Sequence, residues 1–403
     1  MKSKISLFFL SYLRFFARLQ LAKIKSLQKL KNKPLTIIGV TGSAGKTSTV
    51  NACQAVLKNK FRVKTTAGSN SESGIPLNIL GLSVKNYSLL NWLLIALACP
   101  LSLVFNWKTY QIYIVEMGID SPHPPKNMDY LLSLIKPDIA VFLNVNPVHL
   151  QFFSSLNQIA QEKAKLVNSL SSSGLALINT SDPLVAKYIN TKAKIITIKN
   201  HPLKLRQPFP PVYNLSFNVA LQIASFYKLS PRLALEQLSK YFYLPPGRST
   251  ILKGIKNSTI VDSTYNSSPS ASLAMLDFLK TFPSPRIAVL GDMRELGKSS
   301  PTSHRQIYQK TLKTSDFIIS IGPQTKKYFG PKAKKFLYWW SASDYLQKNL
   351  PPKSTILVKG SQNTIYLEEL IKPLLQNPSD SDKLCRQSSY WLKTKQSFKN
   401  NNN

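Results

Sequence analysis

The residues best placed to do chemistry lie in Leu35–Val50, LTIIGVTGSAGKTSTV, where the turn Gly42-Ser43-Ala44-Gly45 leads into Lys46, Thr47 and Ser48. An apolar run that ends in such a turn and then opens a helical pattern aims backbone N–H groups at one point, which suits a phosphate. Lys46 would reach terminal phosphates, and the Thr47 hydroxyl would face a Mg²⁺ ion. The spacing departs from GxxxxGK[ST], because Val40 stands where the first glycine falls, with Gly39 and Gly42 close by. An ordinary glycine-rich turn is the plainer alternative, but Gly-Lys-Thr directly after an apolar strand favours a nucleotide. Two further apolar runs end on reactive residues: Ile112–Val115 at Glu116, and Ile139–Leu143 at Asn144, with His149 five residues beyond. Ligands of doubly wound parallel sheets bind at the carboxyl ends of strands, so three such ends predict one site. Singly, Glu116 reads as a surface carboxylate and His149 as a capped loop histidine. Placed together at strand ends, in a chain with four histidines and eighteen acids, they argue for a shared site.

The elements that must hold these residues follow from periodicity. A helix is predicted over about 155–170, carrying Lys163 and Lys165. Short strands follow at Leu175–Asn179 and Ile195–Ile198, then a proline-rich link (Pro202–Pro211) and a helix at Asn214–Tyr227. Leu244-Pro245-Pro246-Gly247-Arg248 interrupts the pattern and marks a domain border. Beyond it, apolar runs at Thr259–Val261, Ile287–Leu290, Phe317–Ile321 and Thr355–Val358 end at Asp262, Gly291-Asp292, Gly322 and Lys359-Gly360-Ser361. That is a second α/β unit with a parallel sheet. The expected fold is α/β: a central P-loop-type parallel-sheet ATPase domain (34–245), then a Rossmann-like C-terminal α/β domain (246–377). A basic amphipathic helix (1–33) precedes them, and a polar tail (378–403) is expected to be disordered.

A chain of 403 residues exceeds one ordinary core, in keeping with two domains. Its formal charge is +35, and no acidic residue occurs before Glu72. Such a field favours anionic partners, whether nucleic acid, an acidic membrane leaflet or phosphorylated molecules. The basic residues are scattered, without an aromatic-interleaved motif or a zinc-finger spacing, so no nucleic acid is expected. Three distant cysteines, Cys53, Cys99 and Cys385, suit a reducing compartment and no metal cluster.

Two segments raise the question of a membrane. In Met1–Pro34, Ser11, Arg14, Arg18, Lys25 and Lys29 fall near one helical face, and Phe9, Leu13, Phe16, Ile24 and Leu27 near the other. The apolar run Ile5–Leu13 is too short to span a bilayer, and no small-residue cleavage site follows. A helix lying in the membrane interface is expected, with a helix packed on its own domain as the alternative. Leu89–Phe105, inside an insertion at 86–107, is uncharged, flanked by Trp92 and Trp107 and broken by Pro100. It reads as a buried helix or as a hairpin dipping into lipid.

These motifs together resemble the Mur ligases, the ATP-dependent amide-forming enzymes of peptidoglycan precursor synthesis. The matching stretches are TGSAGKTST (41–49), TTAGSNSESGIPLNIL (65–80), VEMGID (115–120) and NVNPVHLQFFSSLNQIAQEKAKLV (144–167). PGRST (246–250), VDSTYNSSPSAS (261–272), VLGDMRELG (289–297) with His304, and VKGS (358–361) complete a set in family order. GDMRELG and KGS are most similar to the branch that joins D-alanyl-D-alanine to a UDP-N-acetylmuramoyl tripeptide. The resemblance implies that ATP phosphorylates a carboxylate and an amine then attacks the acyl-phosphate. It implies ATP contacts at Gly42–Ser48, Asn218, Arg248, Asp262, Tyr265 and Asn266, with Arg248 reaching the γ-phosphate. It also implies two Mg²⁺ ions: Thr47 and Glu116 on the first, His149 and a CO₂-carbamylated lysine on the second. Lys163 matches that lysine best and Lys165 is the rival. Asn70, Asp292, Glu295, Lys359 and Ser361 fall where the family meets its substrates, a muramoyl peptide and D-Ala-D-Ala. A cytoplasmic location, at the inner face of the membrane, follows from the same likeness and the basic helix.

The departures bear on substrate. Only the basic helix precedes the ATPase strand in this sequence, where the family has a domain gripping the UDP-sugar. Asp262-Ser263 stands for paired acids, Lys165 for an acid, and Asn214 for a histidine. A folylpolyglutamate synthase-like enzyme, a ligase of lipid-linked wall precursors and a catalytically idle, membrane-bound ATP-binding scaffold are the alternatives. Lys46, Glu116, His149 and Lys163 together argue against an idle scaffold.

Overall fold

The computed structural model describes residues 2–66, 69–84, 89–146, 152–203, 205–206, 208–361 and 364–402. The chain packs as two units, Met1–Gln207 with Val212–Phe242, and Pro208–Pro211 with Tyr243–Asn403.

The first unit is built on strands β1 (Thr36–Thr41), β2 (Val63–Thr65), β3 (Ile112–Glu116), β4 (Ile139–Phe142), β5 (Leu175–Ile178) and β6 (Lys194–Thr197). They form one sheet in the order β2-β3-β1-β4-β5-β6, each neighbouring pair parallel. The inner strands β3, β4 and β5 are buried throughout, as expected when helices cover both faces, and this is why they read as unbroken apolar runs. Val40 pairs with Glu116 and Thr41 with Phe142, so the ends of β3 and β4 flank the turn that follows β1. Helices α1 (Lys2–Leu30), α2 (Lys46–Leu57), α3 (Gly74–Leu80), α4 (Leu89–Phe105), α5 (Met128–Leu134), α6 (Leu156–Asn168), α7 (Pro183–Lys187), α8 (Asn214–Phe226) and α9 (Pro231–Tyr241) surround the sheet. Local chemistry sets several of their starts. Ser155 accepts the Gln158 N–H at the head of α6, and Ser230 caps α9 with Pro231 in its first turn.

The apolar face of α1 is occupied by protein. Leu13, Ala17, Leu21 and Ile24 are buried, and the helix lies on α3 and α4. This corrects the expectation that this face rests on lipid. Within the insertion, Leu89–Phe105 is one helix, α4, with Pro100 inside it, and not a hairpin. A proline removes the hydrogen bond to the carbonyl four residues earlier. That carbonyl, Ala96 O, instead accepts the Tyr12 hydroxyl of α1 at 2.8 Å.

The second unit has strands β7 (Thr250–Lys253), β8 (Thr259–Ser263), β9 (Arg286–Gly291), β10 (Phe317–Ile321), β11 (Ala333–Phe336) and β12 (Thr355–Lys359), ordered β11-β10-β9-β12-β8-β7. All pairs are parallel except the β7–β8 hairpin, joined through Gly254–Ser258. Its helices are α10 (Pro269–Lys280), α11 (Ser300–Thr311), α12 (Pro323–Tyr328), α13 (Trp339–Asn349), α14 (Leu367–Ile371) and α15 (Ser389–Asn400).

The tail expected to be disordered is folded. Its helix α15 places the almost fully buried Lys395 beside Glu368 and Glu369, and Arg386 donates to both Glu368 oxygens at 2.7 and 2.8 Å. Phe398 packs against Tyr338, Trp340 and Tyr366. A polar composition concealed a tail held by a buried ion cluster. Removing one partner of a buried pair strands the other charge. Glu368→Ala is therefore expected to lower the unfolding free energy by about 3–5 kcal/mol, read from the urea midpoint. Asp129→Ala, which breaks an exposed pair with Lys165, should cost less than about 1 kcal/mol.

Candidate active site

The turn after β1 is shaped by two glycines. Gly45, which precedes α2, has φ +82°, and a Cβ on Gly42 would lie 2.9 Å from the Leu143 Cβ. The end of β4 holds the turn from one side. Asn144 accepts the Ala44 N–H at 2.8 Å and donates its Nδ2 to the Ala44 carbonyl at 3.1 Å, while the Asn146 N–H donates to the Ser43 hydroxyl at 2.9 Å. The opening amides of α2, at Lys46, Thr47 and Ser48, have no carbonyl one turn back within the helix, which suits them to an anion.

Two lysines converge on this turn. Lys46 Nζ donates to the Gly42 carbonyl at 2.9 Å, and Lys163 Nζ, from α6, donates to the same oxygen at 3.2 Å. Lys163 is 2% exposed. Burial, then the neighbouring Lys46 charge, pull its amine down to about 7, against the opposing pull of Asp120 and Glu162. Burial also lowers Lys46, opposed by Glu116 and Asp120. Lys165 is engaged elsewhere, in ion pairs with Asp129 and Glu162 at 2.6 Å each. The geometry thus separates the two rivals: Lys163 faces the turn and Lys165 does not.

Oxygen donors lie on the other side of Lys46. Buried Glu116 accepts the Thr47 hydroxyl at 2.8 Å and the Asn70 amide at 3.1 Å, while its backbone N–H donates to the Thr66 hydroxyl at 3.0 Å. A carboxylate and a hydroxyl side by side, next to a phosphate turn, are the ligands that Mg²⁺ takes together with phosphate oxygens and water. His149 lies outside the described residues, and among those described no group of three or more His, Cys, Asp or Glu is arranged to hold a metal. Asn218, on α8, donates to the His201 and Asn214 carbonyls at 2.7 and 2.8 Å. Its helix is tied to α2 by a Thr49–Ser216 hydroxyl bond of 2.9 Å.

The second unit gathers its own cluster at the carboxyl ends of β8 and β12. Asp262 is fully buried and accepts the Thr264 N–H and hydroxyl through one oxygen; burial raises it to about 6. Lys359 is buried and donates to the Ser263 hydroxyl and the Asn266 carbonyl; burial, then the Arg248 charge, lower it to about 8. The Arg248 guanidinium lies over the Tyr265 ring, 4.3 Å from its centroid. Ser361 accepts the Arg294 N–H. The Asp292 carboxylate accepts the Gln324 and Thr325 N–H groups and so caps α12. Glu295 is exposed at φ +61°. His304 is buried, accepting the Met293 N–H at Nε2 and facing the Ser300 carbonyl with Nδ1, which assigns the proton to Nδ1.

Sequence reasoning assigned no role to Asp120, Asn144 or Glu162. Asp120 opposes the lowering of both lysines, Asn144 clamps the turn, and Glu162 joins α6 to the Met128 N–H. All three stand inside stretches that carry the family likeness, but only Asn144 was marked by its place at a strand end.

Residues 40–207 match the Mur ligase middle domain, and residues 247–362 match the Mur ligase, glutamate ligase domain, one in each packed unit. The chain belongs to the Mur ligase family. Similar curated proteins are UDP-N-acetylmuramoyl-tripeptide–D-alanyl-D-alanine ligases. That of Buchnera aphidicola subsp. Baizongia pistaciae is 27% identical over 380 residues, spanning 84% of this chain and 75% of that one. That of Bacillus subtilis is 25% identical over 396 residues, spanning 89% and 79%. A solved MurF ligase from Thermotoga maritima, in complex with ADP, shares the fold with a TM-score of 0.66 at 23% identity, covering 90% of this chain and 83% of its own.

A buried lysine that titrates near 7 burdens the resting Mur ligase fold. The penalty is full below that value and falls as the pH rises towards the unfolded value of 10.5, since the unfolded chain then binds the extra proton. In metal-free, CO₂-free buffer, Lys163→Met is expected to be about 1–4 kcal/mol more stable than wild type at about pH 6. Urea titrations should show that advantage shrinking by about pH 10.

Proposed function

We propose that this Mur ligase forms an amide at the expense of ATP in peptidoglycan precursor synthesis, joining D-alanyl-D-alanine to a muramoyl tripeptide in the cytoplasm. The substrates are those in the names of its curated relatives, whose likeness runs through both matched domains. The chemistry rests on one observation: Lys46 and Lys163 meet at the Gly42 carbonyl beside the Thr47–Glu116 pair.

In this reading the substrate carboxylate attacks the γ-phosphorus of ATP and ADP leaves. The amine then attacks the acyl carbon, and the tetrahedral adduct loses its proton and expels phosphate, leaving the amide. The chain's part is to position the reactants and balance charge. The α2 amides and Lys46 hold the phosphates in place of the Gly42 carbonyl. Thr47 and Glu116 would hold Mg²⁺, with Asn70 keeping the carboxylate in orientation. That ion would neutralise phosphate charge as a Lewis acid. Asn218, Arg248, Asp262, Tyr265 and Asn266 remain candidates for the nucleotide, as the resemblance implies. Lys359, Ser361 and Glu295 remain candidates for the substrates, as the resemblance implies.

Lys163 is assigned to carbamylation. Its amine is neutral in a useful fraction near pH 7. The nitrogen lone pair attacks CO₂, one C=O pair moves onto oxygen, and the departing N–H proton goes to solvent. The anion so formed would replace repulsion of Lys46 by attraction and offer oxygens to a second Mg²⁺, which His149 completes in the family pattern.

Phosphate release by the purified protein, with ATP, UDP-N-acetylmuramoyl tripeptide and an amine, tests the reading. D-Ala-D-Ala should support turnover, and glutamate or ammonia should not. Lys46→Ala should lower the rate by about 10²–10³-fold. Equal turnover with glutamate, or undiminished turnover in Lys46→Ala, would refute it. A ¹³C carbamate resonance under labelled bicarbonate, absent in Lys163→Met, checks the modification.

A further inference from the structure

Helix α4 has a use that the ligase chemistry does not supply. Its inner side buries Ile95, Cys99 and Ser102. The helix is pinned down: the Tyr12 hydroxyl meets Ala96 O, Ser102 donates to Leu80 O at 2.6 Å, and Lys23 donates to Leu103 O at 2.6 Å. The opposite stripe, Leu90, Leu93, Leu94, Leu97, Leu101 and Phe105, recurs every three or four residues and is 55–76% exposed. A contiguous apolar face of this kind on a surface helix marks an interaction site. Trp107, itself 61% exposed, extends the stripe, with Lys23 Nζ 4.6 Å above its ring.

The surroundings identify the partner. Leu101 and Phe105 also form one wall of a groove of about 1070 Å³, whose other walls carry Lys58, Arg62, Lys64 and Lys108. No acidic side chain is among its described lining residues. Lys64 is brought down to about 8 by burial, with the Lys108 charge adding to the effect. Lys64 itself is spent within the protein, on the Asn78 carbonyl, but an aliphatic stripe edged by the exposed Lys58, Arg62 and Lys108 complements the two layers of an anionic bilayer, acyl chains and then headgroup phosphates. A second copy is a poor occupant, since each chain carries a formal +35. The helix has 17 residues, a length of about 25 Å. No described helix is long and apolar enough to cross a membrane.

We propose that α4 is a membrane-docking helix that lies in the interface of an anionic leaflet, its leucine stripe among acyl chains and Lys58, Arg62 and Lys108 around headgroup phosphates. This surface is independent of which amide the enzyme forms. The test is flotation of the full chain with vesicles of phosphatidylcholine alone or mixed with phosphatidylglycerol. Wild type should float with the anionic vesicles and release in high salt. Leu93→Asp combined with Leu97→Asp, both exposed and remote from the catalytic residues, should keep the thermal transition and the phosphate-release rate. The bound partition coefficient should fall at least about tenfold. Arg62→Glu or Lys108→Glu should each lower it about fivefold or more. Wild type remaining at the bottom with anionic vesicles would overturn the proposal, as would equal flotation of the leucine variant. Equal binding to neutral vesicles would remove the phosphate half of it. A dimer in sedimentation velocity that the leucine variant dissolves would reassign the face to self-association.

Discussion

Two ammonium groups on one carbonyl oxygen organise the first unit. Lys46 and Lys163 approach the Gly42 carbonyl from different helices, and a single carbonyl dipole is a weak counter to two charges in a buried setting. Burial, and after it their mutual repulsion, lowers the Lys163 amine, and Asp120 and Glu162 relieve this in part. Such a pair is stable enough to fold but poorly satisfied, which is the condition for binding a strongly anionic group. A triphosphate meets that need at Lys46, and a carbamate meets it at Lys163. The same electrostatic imbalance therefore accounts for both proposed events.

The backbone makes that imbalance possible. Gly45 takes a left-handed conformation, and Gly42 passes too close to Leu143 for a side chain. Asn144 then fixes the turn by pairing with both the amide and the carbonyl of Ala44. Register does the rest, since pairing Val40 with Glu116 sets the carboxylate beside Thr47. The site is a consequence of strand order: β3 and β4 flank β1, so the loops after all three open at one end of the sheet.

Much of this was legible in the sequence because parallel strands buried on both faces write themselves as short apolar runs. The ends of β1, β3 and β4, and the reactive residues there, could be read in that way. The strands β7, β11 and β2 could not. β7 is an antiparallel edge with the pattern TILK, β11 carries two lysines, and β2 is three residues long. Between Lys163 and Lys165 the likeness favoured the first, but two positions on a helix lie about 200° apart and it is packing that shows which one faces the turn. The capping role of Asp292 was closed to sequence as well, because a helix cap and a ligand carboxylate look alike until the amides of Gln324 and Thr325 are placed. The ordered tail was missed for a related reason. Its stability comes from Glu368 and Glu369, which lie outside it.

The helices α1 and α4 show how a correct pattern can lead to the wrong partner. The amphipathic period of α1 is real, but the centre of its apolar face, Leu13, Ala17, Leu21 and Ile24, is buried, with Phe9 and Phe16 packed at its edge. The proline of α4 explains why the two belong together. Pro100 leaves Ala96 O without its intrahelical donor, and Tyr12 of α1 supplies one. Gln20 and Lys23 of α1 then close on the Asn106 carbonyl just past the end of α4. With α1 occupying its inner side, α4 has no protein partner among the described residues for the leucines opposite. The buried face of α1 points inward and the leucine stripe of α4 points outward, and it is the second that leaves an apolar surface to be covered.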